Sequence, residues 1–274
     1  MTATLLLLGG FLGYHGFFWL FPSPPRVHFT PEGRAQEYIY ARKPFEIVWV
    51  GSGLIGDFTK YLPEPSRSFN LFFPYSSSCL GIEIIARRRR TPRVIFVETN
   101  YLFKGSDAKL VDRLFHRIGY PVQYYLPGFQ RKNNPLRWVK RLLHQVRPAP
   151  ALSGQTPHFQ EWLALHRKNY EHFHISEPFT RELERLKQRI NGLTAQGCQI
   201  LFFEMPIEES LKETDLYKLQ KQYVRSLFPP ESYEWIEQDS AYQYRTWDGI
   251  HLTQESVRTY VAYLSKQAQQ RGLI

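Results

Sequence analysis

Cysteine and methionine are scarce in this chain, with two of each among 274 residues. Cys79 opens a helical pattern and Cys198 precedes an apolar run, so neither a disulfide framework nor a zinc site is indicated. Both read as small buried residues, and they do not set the compartment. Acid is also short, with 25 Asp plus Glu against 35 Lys plus Arg and a formal charge of +10. That balance favours anionic partners: polysaccharide, lipid headgroups or nucleic acid. Helix-turn-helix and aromatic RNA-binding signatures are lacking, which argues against nucleic acid. A glycine-rich phosphate loop is missing, and His172 and His174 stand as a lone pair without further ligand spacing. No nucleotide, metal or other cofactor is therefore expected.

Charge is lacking altogether in residues 3–22, an apolar run of about 20 residues, the length that crosses a hydrocarbon core as a helix. The run has no basic n-region before it and no clean small-x-small site after it, so it reads as a signal anchor rather than a cleaved signal peptide. Trp19 and the prolines after Phe21 suit an interfacial exit. Arg26, Arg34, Arg42 and Lys43 follow the span, and by the positive-inside tendency they would hold the remainder in the cytoplasm.

What remains suffices for one sizeable α/β domain. The expected organisation is a transmembrane signal anchor at 1–22, a Pro-containing linker at 23–44, and an α/β domain at 45–274 with a basic segment inserted at 120–175. Short apolar runs at 47–50, 70–73, 94–98, 199–203 and 233–236 have the composition of strands covered on both faces. Helical patterns fall at 79–89, 107–117, 158–172, 180–194, 209–228 and 253–271, the last with Thr253 as N-cap. This alternation predicts a three-layer α/β/α fold with a parallel five-stranded sheet.

Residues 131–147 hold six Lys or Arg and no acid. If helical after Pro135, this stretch is amphipathic, and it reads either as an ordinary surface helix or as a lid or membrane-surface helix that binds anions. The run Arg87 to Arg90 ends a helix pattern, where cations complement the macrodipole.

Chemistry concentrates in Asp248-Gly249-Ile250-His251. An Asp three residues before a His can accept its Nδ1–H, fix the tautomer and leave Nε2 free to take a proton from a hydroxyl. The first strand runs into Gly51-Ser52-Gly53-Leu54, and the third ends in Glu98-Thr99-Asn100. Both belong at the carboxyl edge of a parallel sheet, where such folds bind ligands. Glu98 reads as a buried carboxylate bracing the loop at Asn100. Glu204 ends the fourth strand and reads as a crevice wall or as a capping or solvent contact. Tyr75 reads as a crevice wall, and Ser76, Ser77 and Ser78 as capping or turn residues.

These blocks, in this order, resemble the SGNH (GDSL-like) hydrolase superfamily over most of residues 46–266. Gly51 to Leu54 resembles the opening block, Asn70 to Ser77 the second, Val97 to Asn100 the third and Asp248 to His251 the last. With its anchor, the chain looks most like the SGNH proteins of cell-envelope polymer acylation. The resemblance implies His251 as general base, Asp248 as its orienting acid and Asn100 as oxyanion donor. It places the nucleophile at Gly53, which has no side chain, and the oxyanion glycine at Tyr75 or Ser76. Ser52 is the remaining serine candidate if the turn is remodelled by one residue. Otherwise His251 would activate water or a sugar hydroxyl directly.

Two functions follow as expectations. One is O-acyl transfer to, or ester removal from, an envelope polysaccharide. The other is a catalytically silent scaffold that binds glycan or a membrane-bound O-acyltransferase. The resemblance puts the domain on the periplasmic side of the cytoplasmic membrane, against the charge reading.

Overall fold

The structure is a computed structural model that describes residues 2–20, 30–88, 90–133, 157–171 and 173–274. It divides into two compact units, one of Lys43–Asp107 with Pro150–Ile274 and one of Met1–Arg42 with Ala108–Ala149.

The larger unit holds the sheet. Strands β1 (Ile47–Ser52), β2 (Ser68–Phe73), β3 (Val94–Glu98), β4 (Gln199–Phe203) and β5 (Glu234–Ile236) are all parallel, in the order β2-β1-β3-β4-β5. The predicted sheet is thus present, with helices on both faces. Its strands are almost wholly buried because their residues are apolar on both sides of the pleat. Alternate residues serve opposite layers. Trp49, Phe96, Leu201 and Phe203 join one core with the closing helix (Gln254–Gln270), where Trp49 stacks on Phe96 at 3.7 Å. On the other face the helix at Ser78–Arg87 packs on β1 and β2.

The smaller unit begins with helix α1 (Thr2–Leu20). Among the described residues it is the helix long and apolar enough to cross a membrane. The stretch expected to be a linker contains helix α2 (Pro31–Ile39). Its start signals are local: Thr30 Oγ1 accepts from Gly33 N, Pro31 occupies the first turn, and Glu32 complements the helix dipole. Helix α3 is the Ser78–Arg87 helix just described. Helix α4 (Ala108–Leu114) packs on α2 and is followed by α5 (Gly119–Tyr125). The basic stretch expected at 131–147 lies, beyond Asn133, outside the described residues.

The other helices of the larger unit are α6 (Phe159–Tyr170), α7 (Glu177–Ala195), α8 (Glu209–Lys212), α9 (Asp215–Leu227) and α10 (Gln254–Gln270). The single helix predicted at 209–228 is therefore two. Thr214 sits between them with extended backbone as the N-cap of α9. Thr253 does cap α10, accepting from Ser256 N at 3.4 Å.

Candidate functional site

The chain leaves β1 for β2 on one side and later enters β3 on the other, so the order of the sheet reverses at β1. Parallel α/β folds open their crevice outside the carboxyl ends of the strands that flank such a switch. Here those ends are Ser52 and Glu98.

Ser52 is 2% exposed. Its N–H donates to Glu98 Oε2 at 2.8 Å, and its Oγ accepts from Leu54 N at 3.2 Å, capping the 3₁₀ helix Gly53–Lys60. Among the described residues no hydrogen bond joins Ser52 to His251. The Ser52 hydroxyl instead caps the start of the 3₁₀ helix. At Gly53 an added Cβ would meet nothing nearer than Pro74 Cα at 3.7 Å, ordinary van der Waals distance. Space for a side chain exists at the position where the sequence resemblance would place a nucleophile.

Glu98 is the hub of this cluster. Its other oxygen accepts from Asn100 N, so the carboxyl group braces the turn at Asn100 as its sequence context suggests. Burial pushes its pKa up, and hydrogen bonds from Ser52 and from the N–H groups of Asn100 and Tyr101 offset only part of that. The Asn100 side chain forms a two-way pair with Met205, Nδ2 donating to Met205 O at 3.0 Å and Oδ1 accepting from Met205 N at 2.6 Å. That pair ties the end of β3 to the segment after β4, and it occupies one of the two amide hydrogens an oxyanion donor would use.

Ser76 Oγ and Ser77 Oγ donate to Gly105 O at 3.2 and 2.7 Å, and Ser77 also caps α3. Tyr75 is no crevice wall, since its side chain is 93% exposed. Its φ of 67° lies in the left-handed region, uncommon for a bulky residue and natural for glycine. The backbone here takes the shape of a glycine turn without the glycine.

The Asp248 loop is built separately, between β5 and α10. A bridge between Thr246 and Leu252 closes it, Trp247 N donates to His251 O at 2.9 Å, and Gly249 supplies a φ of 101°. Asp248 Oδ1 accepts from Ile250 N at 3.0 Å and His251 N at 2.8 Å, while Oδ2 pairs with His251 Nδ1 at 2.7 Å. Trp247 stacks on the imidazole at 5.2 Å. The carboxylate is 5% exposed and the imidazole 35%, so the imidazole reaches solvent while the carboxylate does not.

Sequence reasoning missed His166. Helix α6 carries Leu163, His166 and Tyr170 on one face. Leu163 packs against Gly249, His166 Nε2 lies 3.6 Å from Asp248 Oδ2, and the Tyr170 and Tyr101 hydroxyls bond each other. Burial alone would raise the Asp248 pKa, but the His166 and His251 imidazoles and the His251 N–H outweigh it and hold the carboxyl well below the usual range. His166 lies 82 positions before Asp248 with no spacing to betray it; an apolar-faced helix carrying an inward histidine was the available signal.

Glu204 is 9% exposed, accepting from Tyr217 Oη at 3.1 Å and pairing with Lys221 at 2.9 Å and Arg225 at 3.3 Å. It is thus an ion-paired brace beside a cavity of about 20 Å³, room for a water but not a sugar.

Fold and site together define a parallel α/β protein with an oriented Asp-His pair near its carboxyl terminus and no side chain at the first residue after β1. No protein-family profile matches the chain, and no curated protein matches it. A solved structure from Streptococcus pneumonia, provisionally described as a platelet activating factor, aligns over 97% of this chain and 98% of its own at 11% identity, with a TM-score of 0.44.

Proposed function

We propose that this chain is a membrane-anchored SGNH-like protein of envelope O-acyl chemistry that binds an acylated glycan, or its acyltransferase, without forming an acyl-serine. The observation that carries this reading is Ser52. Its hydroxyl caps Leu54 N, it is buried, and the neighbouring Gly53 offers no replacement. An acyl-enzyme route needs a nucleophile within reach of its base. The half-exposed His251, oriented by Asp248 at 2.7 Å, supplies a polar contact for a sugar hydroxyl.

That intact pair also favours a second reading, in which His251 draws a proton from water or a sugar hydroxyl directly. Placement of the larger unit on the exported side belongs to the same proposal and rests on the family resemblance.

Fluorophosphonate labelling of the full-length protein, read by peptide mass spectrometry, tests the proposal alongside turnover of acetylated polysaccharide and binding to it. The expected result is binding that His251→Ala weakens, with no adduct and no turnover. An adduct on Ser52 would overturn the reading. Turnover without an adduct, lost in His251→Ala, would establish direct base catalysis instead.

A further inference from the structure

We infer that residues 118–129 form a second membrane contact, a non-spanning segment seated in the lipid interface beside the last turns of α1. The inference rests on the reading that α1 crosses a bilayer.

The end of α1 is marked by Arg42, whose guanidinium donates to Phe18 O at 3.1 Å and lies 4.7 Å from the Trp19 ring. A cation and a tryptophan at one helix end set the headgroup level. The segment 125–133 is fastened to α1 just below it. Trp19 Nε1 donates to Tyr125 O at 3.1 Å, Tyr14 Oη donates to Asn133 O at 2.7 Å, and Gly128 N donates to His15 Nδ1 at 3.1 Å. Tyr14 is six residues before Leu20, about 9 Å along a helix. Interfacial segments bury their apolar side about 5–10 Å into the headgroup and acyl boundary.

Backbone that enters an apolar medium without being helical must have its polar groups satisfied internally. Here most are. The carbonyls of residues 125 to 127 accept from Trp19 Nε1, Phe129 N, and Gln130 N together with Asn133 Nδ2 respectively, while Tyr14 Oη, whose proton goes to Asn133 O, lies 3.4 Å from Gly128 O. The amides of Leu126, Gly128, Phe129 and Gln130 all donate, and Gln130 Nε2 reaches Gln123 O at 2.8 Å. Side chains do the opposite: Ile118, Tyr124, Tyr125 and Phe129 are exposed, Tyr125 by 65% and Phe129 by 52%. A largely satisfied backbone under outward aromatics matches a lipid interface, where aromatic rings are enriched, and it continues the exposed apolar surface of α1.

The test uses the full-length protein in phosphatidylcholine and phosphatidylglycerol nanodiscs. Single cysteines replace Leu7, Tyr125, Phe129 or, as a reference on α4, Lys109, and each carries an environment-sensitive fluorophore. The native Cys79 and Cys198 are buried, so labelling is selective. Doxyl-labelled lipid is expected to quench labels at 7, 125 and 129 severalfold more than at 109. Quenching at 7 with 125 and 129 no different from 109 would overturn the inference while leaving α1 as a span. No quenching at 7 would remove the membrane reading and the inference together.

Discussion

His166 Nε2 stands 3.6 Å from the same Asp248 oxygen that pairs with His251 Nδ1 at 2.7 Å. One carboxylate, already holding two backbone N–H groups on its other oxygen, thus organises side chains from α6 and from the loop before α10. Both imidazoles thus approach a single carboxylate.

Replacing that charge should be costly and pH-dependent. Asp248→Asn removes charge-assisted hydrogen bonds, expected to lower stability by about 1.5–3 kcal/mol at neutral pH. The folded-state pKa is depressed, so the carboxylate contributes fully above the unfolded value near ~3.9 and loses its contribution as pH falls through the folded value. Urea denaturation at pH 7 and pH 3.5 should therefore show the gap between wild type and variant shrinking in acid.

Glu98 should behave with the opposite sign. Its folded value is raised, so its contribution is complete below the unfolded value near ~4.3 and declines as pH rises through the folded one. Glu98→Gln retains one acceptor oxygen for two N–H donors, a loss of about 1–3 kcal/mol in acid. Thermal melts across pH 4 to 8 should show the variant closing on wild type as pH rises.

At the turn after β1, neighbouring substitutions should diverge. Ser52→Ala deletes the cap on Leu54 N and is expected to cost about 0.5–2 kcal/mol. Gly53→Ala meets only Pro74 Cα at 3.7 Å and should leave stability unchanged or raise it by about 0.4–1 kcal/mol through a stiffer unfolded chain. Chemical denaturation of the two variants decides; a destabilised Gly53→Ala would mean the vacancy is not a free one.

In the smaller unit, a Cβ on Gly128 would come within 2.4 Å of Tyr14 Cε1 and 2.7 Å of His15 Cε1. Gly128→Ala should cost about 1–3 kcal/mol and loosen 125–133 from α1. Faster amide exchange at Gly128 and Phe129, with the sheet unaffected, is the expected signature.

The sheet was legible because its strands are continuous apolar runs. Val94–Glu98 and Gln199–Phe203 coincide with the expected spans, and the other three differ by at most two residues at an end. Helix α2 was hidden by its polar composition: PEGRAQEYI has no apolar stripe, and the prolines upstream suggested a linker. At the site, local geometry was readable, since Asp248 and His251 are three residues apart and pair as that spacing allows. What depended on distant chain was not. His166 reaches Asp248 only through the docking of α6, and the commitment of Ser52 to Glu98 follows from the β1 and β3 register rather than from the Gly-Ser-Gly turn itself.

Because the smaller unit is assembled from two separated stretches, helix α1 is not a detachable tether. Trimming the first 42 residues would leave α4, with its buried Leu110, Val111 and Leu114, without the α2 helix it packs on, and 125–133 without α1. Such a fragment is expected to aggregate. A fragment that omits both stretches would still carry Ser52, Glu98, His166, Asp248 and His251.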